Sequence, residues 1–111
     1  MFSSIKEIEA LQLAELLGQD ADIQIVDIRQ LAEMASGTVP GAEHIPMHTI
    51  PLRIQEIKQN KTVVLVCLSG ARSAQACMFL AQNGFDNVYN LRGGMMGWTG
   101  SGQQIGSHQT V

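Results

Sequence analysis

The fold is decided by the stretch TVVLVCLSGARS, residues 62–73. The apolar and β-branched residues up to Val66 are typical of a strand buried in a parallel sheet. After Cys67 and Leu68 the residues are small or polar and predict a turn. Ala74, Cys77, Met78 and Ala81 then recur at helical spacing, which predicts a helix with these four on its buried face. Cys67 should therefore stand at the carboxyl end of a buried strand, just before a helix begins.

Strands and helical segments alternate on both sides of this stretch. Strands are predicted at residues 5–8, 23–27, 43–46, 62–66 and 85–91, and helices at residues 10–17, 29–35, 50–59 and 74–83. Such alternation predicts an α/β fold, a parallel sheet with helices on both faces. Ligands bind such sheets outside the carboxyl ends of the strands, where both Asp27 and Cys67 are expected.

Length and composition indicate one globular domain. The chain has 111 residues, of which 45% are hydrophobic and 15% charged. Its formal net charge of −3 gives no basic surface for nucleic acid or an anionic membrane. No cationic leader and no apolar run long enough to span a bilayer is present, so we expect a cytoplasmic protein. Residues 1–99 are predicted to form the domain and residues 100–111, rich in Gly, Ser and Gln, a loosely ordered tail.

The two cysteines, Cys67 and Cys77, make neither a disulfide framework nor a metal-binding pattern. The three histidines have no metal-ligand spacing with the cysteines or with one another, and no phosphate-binding loop or Cys-x-x-Cys redox pair occurs. We therefore expect no metal and no cofactor. Cys77, on the apolar face of the predicted helix, is interpreted as a core residue.

Cys67 is the candidate nucleophile. Backbone N–H groups at a helix start are unpaired and carry partial positive charge, so they stabilise a thiolate placed among them. Successive N–H groups from Leu68 to Ser73 are suited to form a concave anion-binding nest around the sulfur. A cysteine ending a buried strand is also found as a small core hydrophobe, but the loop that follows favours the nucleophile.

The other loop residues have candidate roles of their own. Arg72 is suited to hold an anionic substrate group or to lower the pKa of the cysteine, and Gly70 is expected to take a positive φ. Ser69 and Ser73 are candidates either for hydrogen bonds to the sulfur or for capping the helix.

Two charged residues follow the second strand. Asp27 and Arg29 are interpreted as support for the loop, paired with each other or with Glu33.

Four motifs together resemble the rhodanese-like domain family over about residues 3–98. They are Val26-Asp27-Ile28-Arg29 with Glu33, residues 37–42 with Ile45-Pro46, residues 67–73, and Leu91-Arg92-Gly93-Gly94 with Trp98. The resemblance implies a three-layer fold with a sheet of about five parallel strands. It also implies a six-residue loop from the catalytic Cys67 through Leu68, Ser69, Gly70 and Ala71 to Arg72, followed by Ser73.

The resemblance further implies sulfur transfer through a persulfide of Cys67, from thiosulfate or a low-molecular-weight or protein persulfide to a thiol or cyanide. The loop contains one cation, Arg72, so a persulfide donor is as compatible with it as thiosulfate. One alternative is a module that relays sulfur between proteins, with a sulfur-carrier protein as partner. A phosphatase or arsenate reductase on the same fold is disfavoured, because those enzymes need a longer loop than the four residues that separate Cys67 from Arg72.

Overall fold

The computed structural model describes residues 5–108. Its strands are β1 (Lys6–Ile8), β2 (Ile23–Asp27), β3 (Glu43–His44), β4 (Thr62–Val66) and β5 (Val88–Leu91). Its α-helices are α1 (Ala10–Gly18), α2 (Ala71–Gln82) and α3 (Gly94–Gly100). Short 3-10 segments span Leu31–Ser36, Met47–Leu52 and Ile54–Glu56.

The five strands form one parallel sheet in the order β1-β5-β4-β2-β3. The central strand β4 pairs with β2 in a register that sets Val66 opposite Asp27. Asp27 and the residue after Val66, Cys67, therefore leave the sheet side by side at the same edge. The predicted α/β architecture, a parallel sheet of five strands flanked by helices, is confirmed.

Side chains of β4 belong to two apolar clusters, one on each face of the sheet. Leu65 packs in the cluster that includes Leu80 of α2, whereas Val64 packs in the cluster that includes Leu13 of α1. All four are fully buried, and burying a side chain of this size contributes about 1.5–3 kcal/mol to the free energy of unfolding. Because both faces are covered, β4 is held firmly and delivers Cys67 to a fixed position.

The buried face of α2 differs from the predicted one. Met78 is 40% exposed and Ala81 is also exposed, so the predicted face is wrong for these two residues. The residues that face the sheet are Ser73, Ala76, Cys77 and Leu80. This stripe has the same helical spacing and also contains Cys77, so apolar periodicity alone did not distinguish the two faces.

A helix predicted over residues 50–59 is replaced by the two 3-10 segments Met47–Leu52 and Ile54–Glu56. Pro51 lies inside the first segment, and its nitrogen has no hydrogen to donate to a preceding carbonyl. Ile50 and Ile57 are nevertheless buried.

The chain after α3 returns to the carboxyl edge of the sheet. Gly106 and Thr38 form an antiparallel bridge with N–H···O distances of 2.8 and 2.9 Å, and the indole N–H of Trp98 donates to Gln104 O at 2.7 Å. The loosely ordered tail over 100–111 stays a prediction, and its residues 109–111 lie outside the described residues. Within residues 5–108 no helix combines the length and the apolar character needed to cross a bilayer.

Candidate active site

Cys67 follows β4 directly, and the chain turns over it before α2 begins at Ala71. The turn depends on Gly70, whose φ of +98° is the predicted positive value. A Cβ at this position would also lie 3.2 Å from Gly93 N. Glycine thus lets the loop close tightly over the sulfur.

Several donors converge on the Cys67 sulfur. The backbone N–H groups of Gly70 and Ser73 point at Sγ with N···S distances of 3.1 and 3.4 Å, and Ser73 Oγ lies 3.2 Å from it. Burial raises the pKa of the Cys67 thiol, but the hydrogen bonds from Ser73, Gly70 and the Ser69 N–H outweigh it. The net effect is a pKa below the ordinary thiol value, which favours the thiolate.

Ser73 therefore sits against the sulfur. It lies inside α2, and the N-cap position belongs to Gly70. Of its two predicted roles, the structure places its side chain in the one that contacts Cys67.

The Cys67 side chain is buried from solvent, whereas Leu68 in the loop above it is exposed. Cys67 is 0% exposed and Leu68 is 43% exposed. A groove of about 240 Å³ lies beside the loop and is lined by Arg29, Ser36, Gly37, Leu68, Met95, Met96 and Thr99. Leu68, Met95 and Met96 form its apolar part.

The start of α3 holds the loop from the opposite side. The N–H groups of Met95 and Met96 donate to Cys67 O at 2.8 Å and to Leu68 O at 3.0 Å. Gly94 permits this approach, because a Cβ there would lie 2.5 Å from Cys67 O. The loop backbone is thus fixed by hydrogen bonds to a second element.

Arg72 does not carry a free positive charge. Its two terminal nitrogens donate to the two carboxylate oxygens of Glu33, each at 2.9 Å. The hydrogen bond from Arg72, assisted by the Gln30 N–H, lowers the pKa of Glu33 to about 2, so the carboxylate is ionised at any physiological pH. The guanidinium beside the loop is therefore compensated by a permanent negative charge.

Asp27 and Arg29 pair with each other, which is one of the two predicted arrangements. Arg29 Nη2 lies 2.8 Å from Asp27 Oδ2, and both side chains are buried. Arg29 also donates to Gly37 O at 2.8 Å, and Thr38 Oγ1 donates to Asp27 Oδ2 at 2.6 Å. The pair joins the end of β2 to residues 37–38, and its role as support for the loop stays a prediction.

Sequence reasoning missed Asn90 and Glu7. Asn90 lies in β5 and is 2% exposed, and its side chain bonds to Ser73, Gly70 and Glu7. The available signal was an asparagine inside the otherwise apolar stretch that follows Val88, since buried polar side chains need partners.

Cys77 has a different environment from Cys67. Burial, together with the nearby charges of Glu7 and Cys67, raises the pKa of Cys77 to about 12. The group therefore stays a thiol, consistent with its interpretation as a core residue. Within residues 5–108, no three His, Cys, Asp or Glu side chains are grouped so that they could hold a metal ion.

The model of the rhodanese-like domain family matches residues 9–101 of the chain. The chain belongs to the rhodanese-like domain family. A sulfurtransferase of Allochromatium vinosum is 46% identical over 101 residues, covering 91% of this chain and 94% of that protein. A thiosulfate sulfurtransferase of Pseudoalteromonas translucida is 32% identical, covering 86% of this chain and 90% of the other. The crystal structure of a rhodanese-like domain protein from Staphylococcus aureus superposes with a TM-score of 0.82 at 38% identity, covering 93% and 100% of the two chains.

Proposed function

We propose that this rhodanese-like domain is a sulfurtransferase that carries a sulfane sulfur as a persulfide on Cys67. The observation that supports this most directly is the convergence of Gly70 N–H, Ser73 N–H and the Ser73 hydroxyl on Sγ. These donors stabilise the thiolate, which is the attacking form of cysteine.

In the first half of the reaction, the Cys67 thiolate attacks the outer sulfur of the donor. With a persulfide RS–SH, an S–S bond forms to Cys67, the donor S–S bond breaks, and RS⁻ leaves. With thiosulfate the leaving group is sulfite. The oxidation state of the transferred sulfur is kept, so no external oxidant is needed.

In the second half, an acceptor thiolate or cyanide attacks the outer sulfur of the Cys67 persulfide. The S–S bond breaks, the acceptor leaves with the outer sulfur, and Cys67 returns as thiolate. The donors that stabilise the resting thiolate also stabilise it as leaving group, so the same loop assists both halves.

The charges around the loop favour a persulfide donor over thiosulfate. Glu33 neutralises Arg72, and Arg29, which lines the groove beside the loop, is paired with Asp27. A dianion gains little from a compensated guanidinium, whereas the organic part of a persulfide can contact Leu68, Met95 and Met96 in the same groove.

Intact-mass measurement tests the chemistry. The reduced protein is incubated separately with glutathione persulfide and with thiosulfate, and each product is weighed. We expect an added mass of one sulfur atom, lost in Cys67→Ser and retained in Cys77→Ser. The proposal fails if neither donor adds sulfur, or if the adduct survives in Cys67→Ser.

The acceptor decides between an enzyme for small molecules and a relay between proteins. Loaded protein is mixed with cyanide, with glutathione, and with a protein thiol such as a reduced sulfur-carrier protein. Transfer to the small acceptors supports the enzyme, whereas transfer confined to the protein thiol supports the relay.

A further inference from the structure

A chain of hydrogen bonds runs from the protein surface to the nucleophile. Glu7 Oε2 accepts from Asn90 Nδ2 at 3.0 Å, and Asn90 Oδ1 accepts from Ser73 Oγ at 2.5 Å. Ser73 Oγ in turn lies 3.2 Å from Cys67 Sγ. Glu7 is exposed, whereas Asn90, Ser73 and Cys67 are buried, so the last three groups have fixed partners.

The orientation of the Asn90 amide follows from its neighbours. Nδ2 faces two acceptors, Glu7 Oε2 and the carbonyl oxygen of Gly70 at 3.1 Å. Both amide hydrogens are used there, and an amide turned the other way would set its oxygen against two further oxygens. Oδ1 must therefore face Ser73, and it can only accept a hydrogen bond.

The Ser73 hydroxyl has one proton and two acceptors. It can donate to Asn90 Oδ1 or to Cys67 Sγ, but a hydroxyl donates one hydrogen at a time. When Cys67 is a thiol, its S–H can donate to Ser73 Oγ while the Ser73 proton goes to Asn90. When Cys67 is a thiolate, the Ser73 proton is drawn to the sulfur.

We propose that Asn90 is a positioning residue that competes with Cys67 for the Ser73 proton. The Ser73 hydroxyl can therefore donate its hydrogen bond in either of two orientations, to Asn90 Oδ1 or to Cys67 Sγ. The hydroxyl turns to Sγ when that sulfur carries the negative charge. It turns back to Asn90 when the charge lies elsewhere. The hydroxyl only rotates, and no covalent bond is made or broken in the movement.

The orientation of the Ser73 hydroxyl toward Asn90 matters in sulfur transfer, and this step rests on the function proposed above. In a persulfide the negative charge resides on the outer sulfur, and Sγ is bonded to two atoms and uncharged. Asn90 then holds the Ser73 proton until an acceptor attacks. As the S–S bond breaks, charge returns to Sγ and the hydroxyl turns to meet it, which assists departure of the thiolate.

The proposal predicts that removing the side chain of Asn90 lowers the pKa of Cys67. Asn90→Ala removes the competing acceptor, so the Ser73 proton is available to the thiolate alone and the pKa of Cys67 falls. The thiolate fraction at a pH well below the pKa should rise about threefold, the equivalent of roughly 0.7 kcal/mol. A residue that merely braced the loop would give the opposite result, because a loosened loop stabilises the thiolate less.

The experiment is a pH titration of the thiolate ultraviolet absorbance of the donor-free protein. Burial keeps Cys77 a thiol, and the titration of Cys67→Ser is subtracted as the baseline for all other groups, so the remaining absorbance reports on Cys67. Asn90→Ala and Asn90→Leu are each titrated with Ser73 intact and in a Ser73→Ala background. Asn90→Leu keeps the volume of the side chain but also removes the acceptor, so it should lower the pKa of Cys67 as Asn90→Ala does. Both effects should shrink by at least half when Ser73 is absent, since they act through its hydroxyl.

A higher or unchanged pKa of Cys67 in Asn90→Ala overturns the proposal, as does a shift of equal size in both backgrounds. If Asn90→Ala does not fold, the Asn90→Leu pair decides by the same comparison. The titration needs no sulfur donor. Failure of the persulfide assay with the expected titration would overturn the proposed sulfur transfer and leave the competition for the Ser73 proton standing.

Discussion

Glu33 controls how much positive charge the candidate site offers to a donor. Its carboxylate accepts from Arg72 in a bidentate pair, the geometry in which guanidinium and carboxylate interact most strongly. The hydrogen bond to Glu33, and then the charges of Glu33 and Cys67, raise the pKa of Arg72.

Glu33→Gln should therefore improve the use of thiosulfate. The substitution leaves a hydrogen-bond acceptor for Arg72 but removes the compensating charge, so the guanidinium attracts a dianion more strongly. We expect the KM for thiosulfate to fall about threefold, the equivalent of roughly 0.7 kcal/mol for a partly exposed charge pair. Steady-state kinetics with thiosulfate and with glutathione persulfide would show a smaller change for the persulfide, because its charges are spread over a larger molecule that also carries an ammonium group.

A matched control lies at the other end of the sheet. Arg53 and Glu56 form a similar two-bond pair at 2.8 and 2.9 Å, and the Glu56 carbonyl contacts Gln24 near the start of β2. Glu56→Gln should leave both KM values unchanged. Equal effects of the two substitutions, or no effect of Glu33→Gln, would show that the charge of Arg72 does not limit donor choice.

Among single residues, the sequence predicted the position of those that depend only on the local conformation of the backbone. Cys67 at a strand end and Gly70 in the turn could be predicted because neighbouring residues determine their backbone. The ion pair of Arg72 with Glu33 and the bonds of Asn90 were not predictable. Each joins residues far apart in sequence, and which partner comes within reach depends on how the elements pack.

Helix α3 and the loop that follows β4 are joined by backbone hydrogen bonds. The first N–H groups of α3 bond the loop carbonyls, and Gly94 brings the two backbones together at a φ of +56°. Helix α3 extends from Gly94 to Gly100. Three glycines lower its intrinsic helix propensity, so its contacts with the loop and the core must stabilise it.

Gly94→Ala should disturb the site through this contact. The new Cβ would lie 2.5 Å from Cys67 O and 2.6 Å from Leu68 C and O, and the positive φ adds strain. We expect a loss of about 2–4 kcal/mol in the free energy of unfolding, measured by urea denaturation. Because the loop must shift to admit the Cβ, persulfide formation should slow by about 10- to 100-fold.

Gly100→Ala is the control within the same helix. A Cβ at Gly100 would meet no atom within 4 Å, and its φ is not in the left-handed region. This variant should keep its stability and its rate of persulfide formation. An equal loss in both variants would mean that the contact of the new Cβ with the loop carbonyls is not the cause, because alanine raises the helix propensity at both positions.

For the whole molecule, the order of strands and helices was predictable because it follows from local apolar patterns. Each pattern determines an element, and parallel strands joined by helices have few ways to assemble. The path of the chain after α3 was not predictable in this way. Residues 101–108 contain few apolar side chains, and their position depends on backbone bonds to Thr38, more than sixty residues earlier.

The segment after α3 links the end of the chain to the edge that holds the site. Gly106 pairs with Thr38, and Thr38 Oγ1 donates to Asp27, the residue beside the start of the loop.

A chain that ends at Ser101 loses both backbone bonds of Gly106 and the acceptor of the Trp98 indole. We expect the free energy of unfolding to fall by about 2–3 kcal/mol, since each lost hydrogen bond costs about 1 kcal/mol. Urea unfolding followed by circular dichroism measures the change, and a chain that ends at His108 serves as control because it keeps these contacts. Equal stability of the two chains would instead support the loosely ordered tail that the sequence predicts.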